Sequence, residues 1–182
     1  MNPRIHTLDQ LAHICARLRA EGKRIAHCHG AFDLMHPGHV RHLRAARAMA
    51  DVLVVTITED RFIRKGPGRP VFPQQVRAET IAALRAVDHV ATCPFPTGVE
   101  AIERIKPDLY VKGPDYRGRA AEEGSAIAME KRAVERYGGK LVFTTEPQFS
   151  STALIDKYYR SSTDGTDEHR YGMEAGSPLK KA

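Results

Sequence analysis

The sequence predicts an α/β fold, one domain built around a parallel, doubly wound sheet. Three observations carry this expectation. Short apolar runs suited to strands alternate along the chain with stretches of helical spacing, the order that produces a parallel sheet with crossover helices. The run at 51–58 is almost continuously β-branched, as expected of a strand covered on both faces. The chain has 182 residues, shows no internal repeat, and fits one domain with a properly buried core.

The elements follow in order. Leu8, Leu11, Ala12, Cys15 and Leu18 recur at helical spacing behind Thr7, a suitable N-cap, and Gly22 ends that helix. Residues 24–28 form the first expected strand and 40–50 a helix, with Val40, Leu43 and Ala46 spaced by three along one side. The second strand is 51–58. Residues 59–71 are basic and rich in Gly and Pro, hence a loop. A helix over 73–85 begins at Pro73, where proline is tolerated, and 87–92 is the third strand. The helix over 97–105 stops before Pro107, and 109–112 is the fourth strand. After the loop 113–118, a helix over 120–137 ends at Gly138-Gly139, 140–145 is the fifth strand, and 151–159 is a last helix. The expected fold is thus a Rossmann-like sheet of five strands spanning 1–160, with 161–182 a polar, aperiodic and flexible tail.

Composition narrows the function classes. Apolar residues are 42% and charged residues 27%, ordinary values for a globular chain. No apolar run approaches the roughly 18 residues of a membrane span, and the N-terminus lacks a signal-peptide core, so a cytoplasmic protein without membrane partners is expected. Cys15, Cys28 and Cys93 are too few and too widely spaced for a disulfide framework or a cysteine zinc site, and read as small buried hydrophobes. The net charge is +6, and residues 161–182 carry three basic against four acidic side chains, so the rest holds +7. With no block of five basic residues and no aromatic RNA-reading pattern, this surplus fits polyanionic small molecules better than nucleic acid.

The chemistry concentrates where the first strand passes into the next helix, at His29-Gly30-Ala31-Phe32-Asp33-Leu34-Met35-His36-Pro37-Gly38-His39. Free backbone N–H groups and the helix dipole favour an anion there. Gly30 permits a tight turn and Gly38 the close approach of a phosphate. His36 and His39, three apart, can face one anion and stabilise charge on a phosphate in transfer. Asp33 could cap the loop or contact substrate. The spacing alone also allows a metal pair or two surface histidines, although no third ligand stands at a familiar distance.

The stretch 30–39 resembles the GxFDxxHxGH motif of the cytidylyltransferase-like nucleotidyltransferases. Lys65-Gly66-Pro67-Gly68-Arg69-Pro70-Val71 resembles that family's basic phosphate-binding loop. Pro107-Asp108-Leu109-Tyr110-Val111-Lys112-Gly113-Pro114-Asp115-Tyr116 resembles the PDxxVKGxDY segment of bacterial heptose 1-phosphate adenylyltransferases, and Ser150-Ser151-Thr152 the motif opening the last helix. These matches span residues 22–158. Glu146-Pro147-Gln148-Phe149 stands where many cytidylyltransferases carry an Arg, which favours ATP over CTP.

The resemblance implies attack of a sugar phosphate oxygen on the α-phosphate of ATP, with pyrophosphate leaving and no covalent enzyme intermediate. It implies catalytic roles for His36, His39 and Lys65. It places Gly30, Ala31, Phe32, Gly38, Lys112, Gly113, Asp115, Ser151 and Thr152 at the nucleotide, and Asp33 and Arg69 at the acceptor. Mg2+ is the implied cofactor, with few direct protein ligands and no metal site of the protein's own. The expected product is an ADP-sugar made from heptose 1-phosphate. The alternative is a CTP-dependent enzyme acting on glycerol 3-phosphate or a similar polyol phosphate. A binding module without chemistry would rest on the +7 charge alone. A homodimer, common among relatives of this architecture, is left open.

Overall fold

The computed structural model describes residues 2–66, 68–118, 120 and 122–146, all within the compact unit Met1–Phe149. The expected helix at 151–159 and the tail at 161–182 lie outside the described residues.

Six strands form one sheet: β1 (Ile5–His6), β2 (Ile25–Gly30), β3 (Val52–Thr58), β4 (His89–Cys93), β5 (Leu109–Lys112) and β6 (Lys140–Phe143). Their spatial order is β1-β4-β3-β2-β5-β6, and every pairing is parallel. The expected parallel sheet is therefore present, but with six strands rather than five. The extra strand, β1, is two residues on the edge beside β4, too short for any alternation to mark it in sequence.

Among the described residues five α-helices cover the sheet: α1 (Leu8–Ala20), α2 (Pro37–Ala48), α3 (Gln74–Ala82), α4 (Val99–Ile105) and α5 (Ala126–Arg136). Thr7 caps α1 through a capping box with Gln10. Leu43 and Ala46 of α2 and Ala78, Ile81 and Ala82 of α3 pack with Ala26, Cys28, Leu53, Val55 and Ile57 on one face. Leu8, Leu11 and Cys15 of α1 and Ala101 and Ile105 of α4 pack with Ile25, Val52 and Val54 on the other. Successive residues of β2 and β3 thus enter opposite layers; β3 reads as a nearly continuous apolar run, whereas β2 alternates Ala26 and Cys28 with the buried His27 and His29. Tyr110, Ile127, Ala133 and Val134 form a smaller cluster where α5 meets β5.

Two helix starts lie three residues or more from where the apolar spacing puts them. Helix α2 starts at Pro37, three residues before the apolar spacing begins, because His36 caps it and Pro37 suits its first position. Helix α5 starts at Ala126 rather than 120, where the Ser125 hydroxyl accepts the Ala128 N–H at 3.2 Å. No helix among the described residues is long and apolar enough to cross a membrane.

Candidate active site

The chain runs from β2 to β3 and β4 on one side, then crosses to β5 on the other side of β2. That makes the β2–β5 seam the reversal point of the strand order, where open α/β sheets bind ligands beyond the strands' carboxyl ends. The seam opens there. β2 pairs with β3 as far as Gly30↔Ile57, but with β5 only at Ala26↔Leu109 and His27↔Tyr110.

The loop leaving β2 is held in a shape that few residues support. Phe32 has φ 45°, a left-handed conformation that costs a non-glycine residue energy. Its ring is buried against the core and folds back so closely that a Cβ at Gly30 would lie 3.2 Å from its edge. Asp33 is buried, accepts the N–H groups of Val71 at 2.7 Å and Phe72 at 3.2 Å, and pairs with Arg69. These two residues, expected at the acceptor, here bind each other and tie the loop after β2 to the basic loop.

His36 caps α2, its Nδ1 accepting the His39 N–H at 3.4 Å. The two rings stack 3.8 Å apart with 21° between planes, and Phe32 meets the His39 ring edge-on at 5.5 Å. Burial pulls the His39 pKa down to about 4, helped by His36, His42 and Lys65. Burial also lowers that of His36, with Lys65 adding to the effect. At neutral pH His39 is thus an uncharged imidazole. Because His36 Nδ1 accepts, its neutral form carries the proton on Nε2 as a donor. His39 Nδ1 is buried with no hydrogen-bond partner among the described residues. Gly38, in the first turn, is buried. Burial lowers the Lys65 pKa, with Arg69 and Arg77 adding to the effect and Asp33 opposing it. Lys65, the basic loop and the histidine pair therefore share one electrostatic site.

On the far side of the seam, Lys112 ends β5 and a 3-10 turn spans Pro114–Tyr116. The Asp115 carboxylate folds over Gly113, where a Cβ would lie 2.4 Å from Oδ1. Lys112 is buried and paired with Glu130 of α5 at 3.1 Å. Ser151 and Thr152 lie outside the described residues.

Three supporting residues escaped the sequence reading. Arg77 is fully buried in α3 and donates to the carbonyls of Ala31, Phe72 (3.0 Å) and Thr58 (2.8 Å) and to Asp60 (2.7 Å). It joins the loop after β2 to the end of β3. His42, one turn beyond His39, bridges Cys28 Sγ at 3.5 Å and Thr144 Oγ1 at 3.0 Å. Glu130 is the third. Arg77 and Glu130 share a signal: each is a charge within a helix's apolar stripe, beside Ile81 in α3 and Ile127, Ala133 and Val134 in α5.

Comparison with known proteins bears on this arrangement. Residues 27–157 match the family described as Cytidylyltransferase-like. The chain is 37% identical over 155 residues to the Bifunctional protein HldE of a Nitratiruptor species, covering 84% of this chain and 31% of that protein. It is 38% identical over 161 residues to the Bifunctional protein HldE of Geobacter metallireducens, covering 87% and 31%. The chain thus spans about a third of the length of these relatives. Among solved structures, it resembles the lipopolysaccharide core biosynthesis protein from Thermoplasma volcanium (TM-score 0.57, 22% identity, 70% of this chain and 100% of that one). It also resembles pantoate-beta-alanine ligase from Francisella tularensis (TM-score 0.55, 16% identity, 84% and 76%). At such identities the two structures speak to the fold.

Proposed function

The chain belongs to the cytidylyltransferase-like family, and from that premise we propose that it is a nucleotidyltransferase that transfers AMP from ATP to a heptose 1-phosphate, releasing pyrophosphate and forming an ADP-sugar. The observation that carries the reading is the stacked His36–His39 pair at the start of α2, beside Lys65 and at the mouth of the opened β2–β5 seam. Support for ATP and a heptose phosphate comes from the likeness of 107–116 to heptose 1-phosphate adenylyltransferases and from the HldE relatives.

In this reading an oxygen of the sugar phosphate forms a bond to the α-phosphorus as the bond to the bridging oxygen of pyrophosphate breaks. Such transfer depends on alignment and charge neutralisation rather than on a protein nucleophile. The triphosphate lies against the loop and the first turn of α2, near Gly30, Ala31, Phe32 and Gly38, where helix N–H groups favour anions. His36 and His39 donate to phosphate oxygens, His39 as a neutral imidazole at pH 7. Lys65 supplies positive charge. Gly113 and Asp115 line the opposite wall, and Ser151 and Thr152 take the outer phosphates. Mg2+ would accompany the triphosphate and neutralise its charge. Bound mainly through phosphate oxygens and water, it would need few direct protein ligands.

The test is pyrophosphate release across a screen of nucleotides and sugar or polyol phosphates. ATP with heptose 1-phosphate is expected to give the highest turnover, and His36→Ala and His39→Ala to lower it about 10²-fold or more, as when one transition-state donor is lost. Preference for CTP with glycerol 3-phosphate overturns the substrate assignment. Full turnover in both histidine variants overturns the site.

A further inference from the structure

At the β2–β5 seam a side chain takes over where the backbone ladder stops. Past His27↔Tyr110 the two strands no longer pair, although each continues with its other neighbour, β2 with β3 to Gly30 and β5 with β6 to Lys112. The carbonyl of His29 falls in this gap. The Lys112 ammonium reaches across and donates to it at 3.2 Å. Glu130 Oε2 holds the same ammonium at 3.1 Å, while Oε1 accepts the Gly98 N–H at 2.9 Å. Both charged side chains are less than a tenth exposed. The surroundings are dense: a Cβ at Gly98 would lie 2.6 Å from the Tyr110 hydroxyl, 2.8 Å from Glu130 Oε1 and 3.2 Å from the His29 ring.

We propose that Lys112 and Glu130 form a strut that sets the width of the opened seam, making Glu130 a positioning residue for the nucleotide and Lys112 a spacer rather than a phosphate ligand. The proposal rests on the nucleotide reading above. A buried ammonium between a carboxylate and a carbonyl has its positive charge balanced within the protein, and moving it to a phosphate would leave Glu130 buried and unpaired, a strongly unfavourable state. One hydrogen bond from Lys112 fixes the carbonyl one residue before the Gly30 turn. The width of the gap therefore passes directly into the phosphate loop. Glu130, on α5, is tied to the seam through this contact.

The experiment is a double-mutant cycle with Lys112→Met, Glu130→Gln and the pair together; Gln keeps an acceptor for the Gly98 N–H. KM and kcat are measured with the nucleotide the wild type prefers, alongside thermal midpoints. Each single variant is expected to raise the nucleotide KM by about tenfold or more while kcat changes less, as removal of one partner of a buried pair would predict. The double variant should be no worse than the poorer single, since both remove one device. Losses that multiply would show Lys112 touching the nucleotide independently of Glu130, and overturn the proposal. A lowered midpoint in Glu130→Gln with an unchanged KM would also overturn it, as a purely structural pair. If Lys112→Met does not fold, Lys112→Arg replaces it: its extra donors should keep KM within about threefold of wild type, and a tenfold rise counts against the strut. Calorimetric Kd values for ATP and CTP allow the same comparison in a chain that releases no pyrophosphate, so failure of the proposed reaction is read separately. A wild type that binds neither nucleotide overturns both.

Discussion

Arg77 shows how much of a site rests on a side chain hidden beneath it. Its guanidinium fork satisfies three carbonyls on three segments and the Asp60 carboxylate, all from a fully buried position in α3. Replacing it with Met would strand those carbonyls, each at about 1–3 kcal/mol. Arg77→Met should therefore lower unfolding stability by roughly 3–5 kcal/mol, measured by denaturant titration, and Arg77→Lys should recover little because lysine lacks the fork. Sequence showed the residues at the mouth of the site plainly, since His36, His39 and the glycines stand in one short run. It did not show what braces them. The partners of Asp33 are 36 to 39 residues away, those of Lys112 18 and 83, and those of Arg77 up to 46, and only folding brings them together.

Elements were legible in proportion to how strongly burial patterned them. β3, covered on both faces, announced itself as a run of apolar and β-branched residues. The two-residue β1 left no trace, and α2 began before its apolar spacing because capping, not burial, sets its start. Where elements meet, the constraint is often a missing side chain. At the turn from α5 into β6, a Cβ on Gly139 would lie 2.2 Å from the Pro107 carbonyl oxygen and 2.7 Å from Val134 Cγ2. The carbonyl belongs to the chain entering β5, so the collision would push two adjacent crossovers apart. Gly139→Ala should lower the thermal midpoint by several degrees, the equivalent of about 1–3 kcal/mol of overpacking. An unchanged midpoint would mean that the crossovers yield freely.

For the whole molecule, buried imidazoles set the response to acid. Burial, with Lys112 adding to it, pulls His27 down to about 3 and His29 well below its ordinary value; His39 and His42 fall to about 4. Each of these takes up a proton more readily unfolded than folded. Their contribution is therefore complete above the unfolded pKa near 6.5 and is lost as pH falls from there towards 4. Unfolding free energy should drop steeply across that window, by about 1.4 kcal/mol per unit of depression in each buried group. A flat pH profile between 7 and 4 would contradict this. The three cysteines offer a way to watch the same molecule come apart. Cys28 belongs to the layer with α2 and α3, while Cys15 and Cys93 belong to the layer with α1 and α4. All three are buried, and burial raises their thiol pKa values to about 12, 12 and 11 for Cys15, Cys28 and Cys93. A thiol reagent therefore labels the protein only as fast as each layer opens. The order in which mass spectrometry finds these cysteines modified will tell which side of the sheet sheds its helices first.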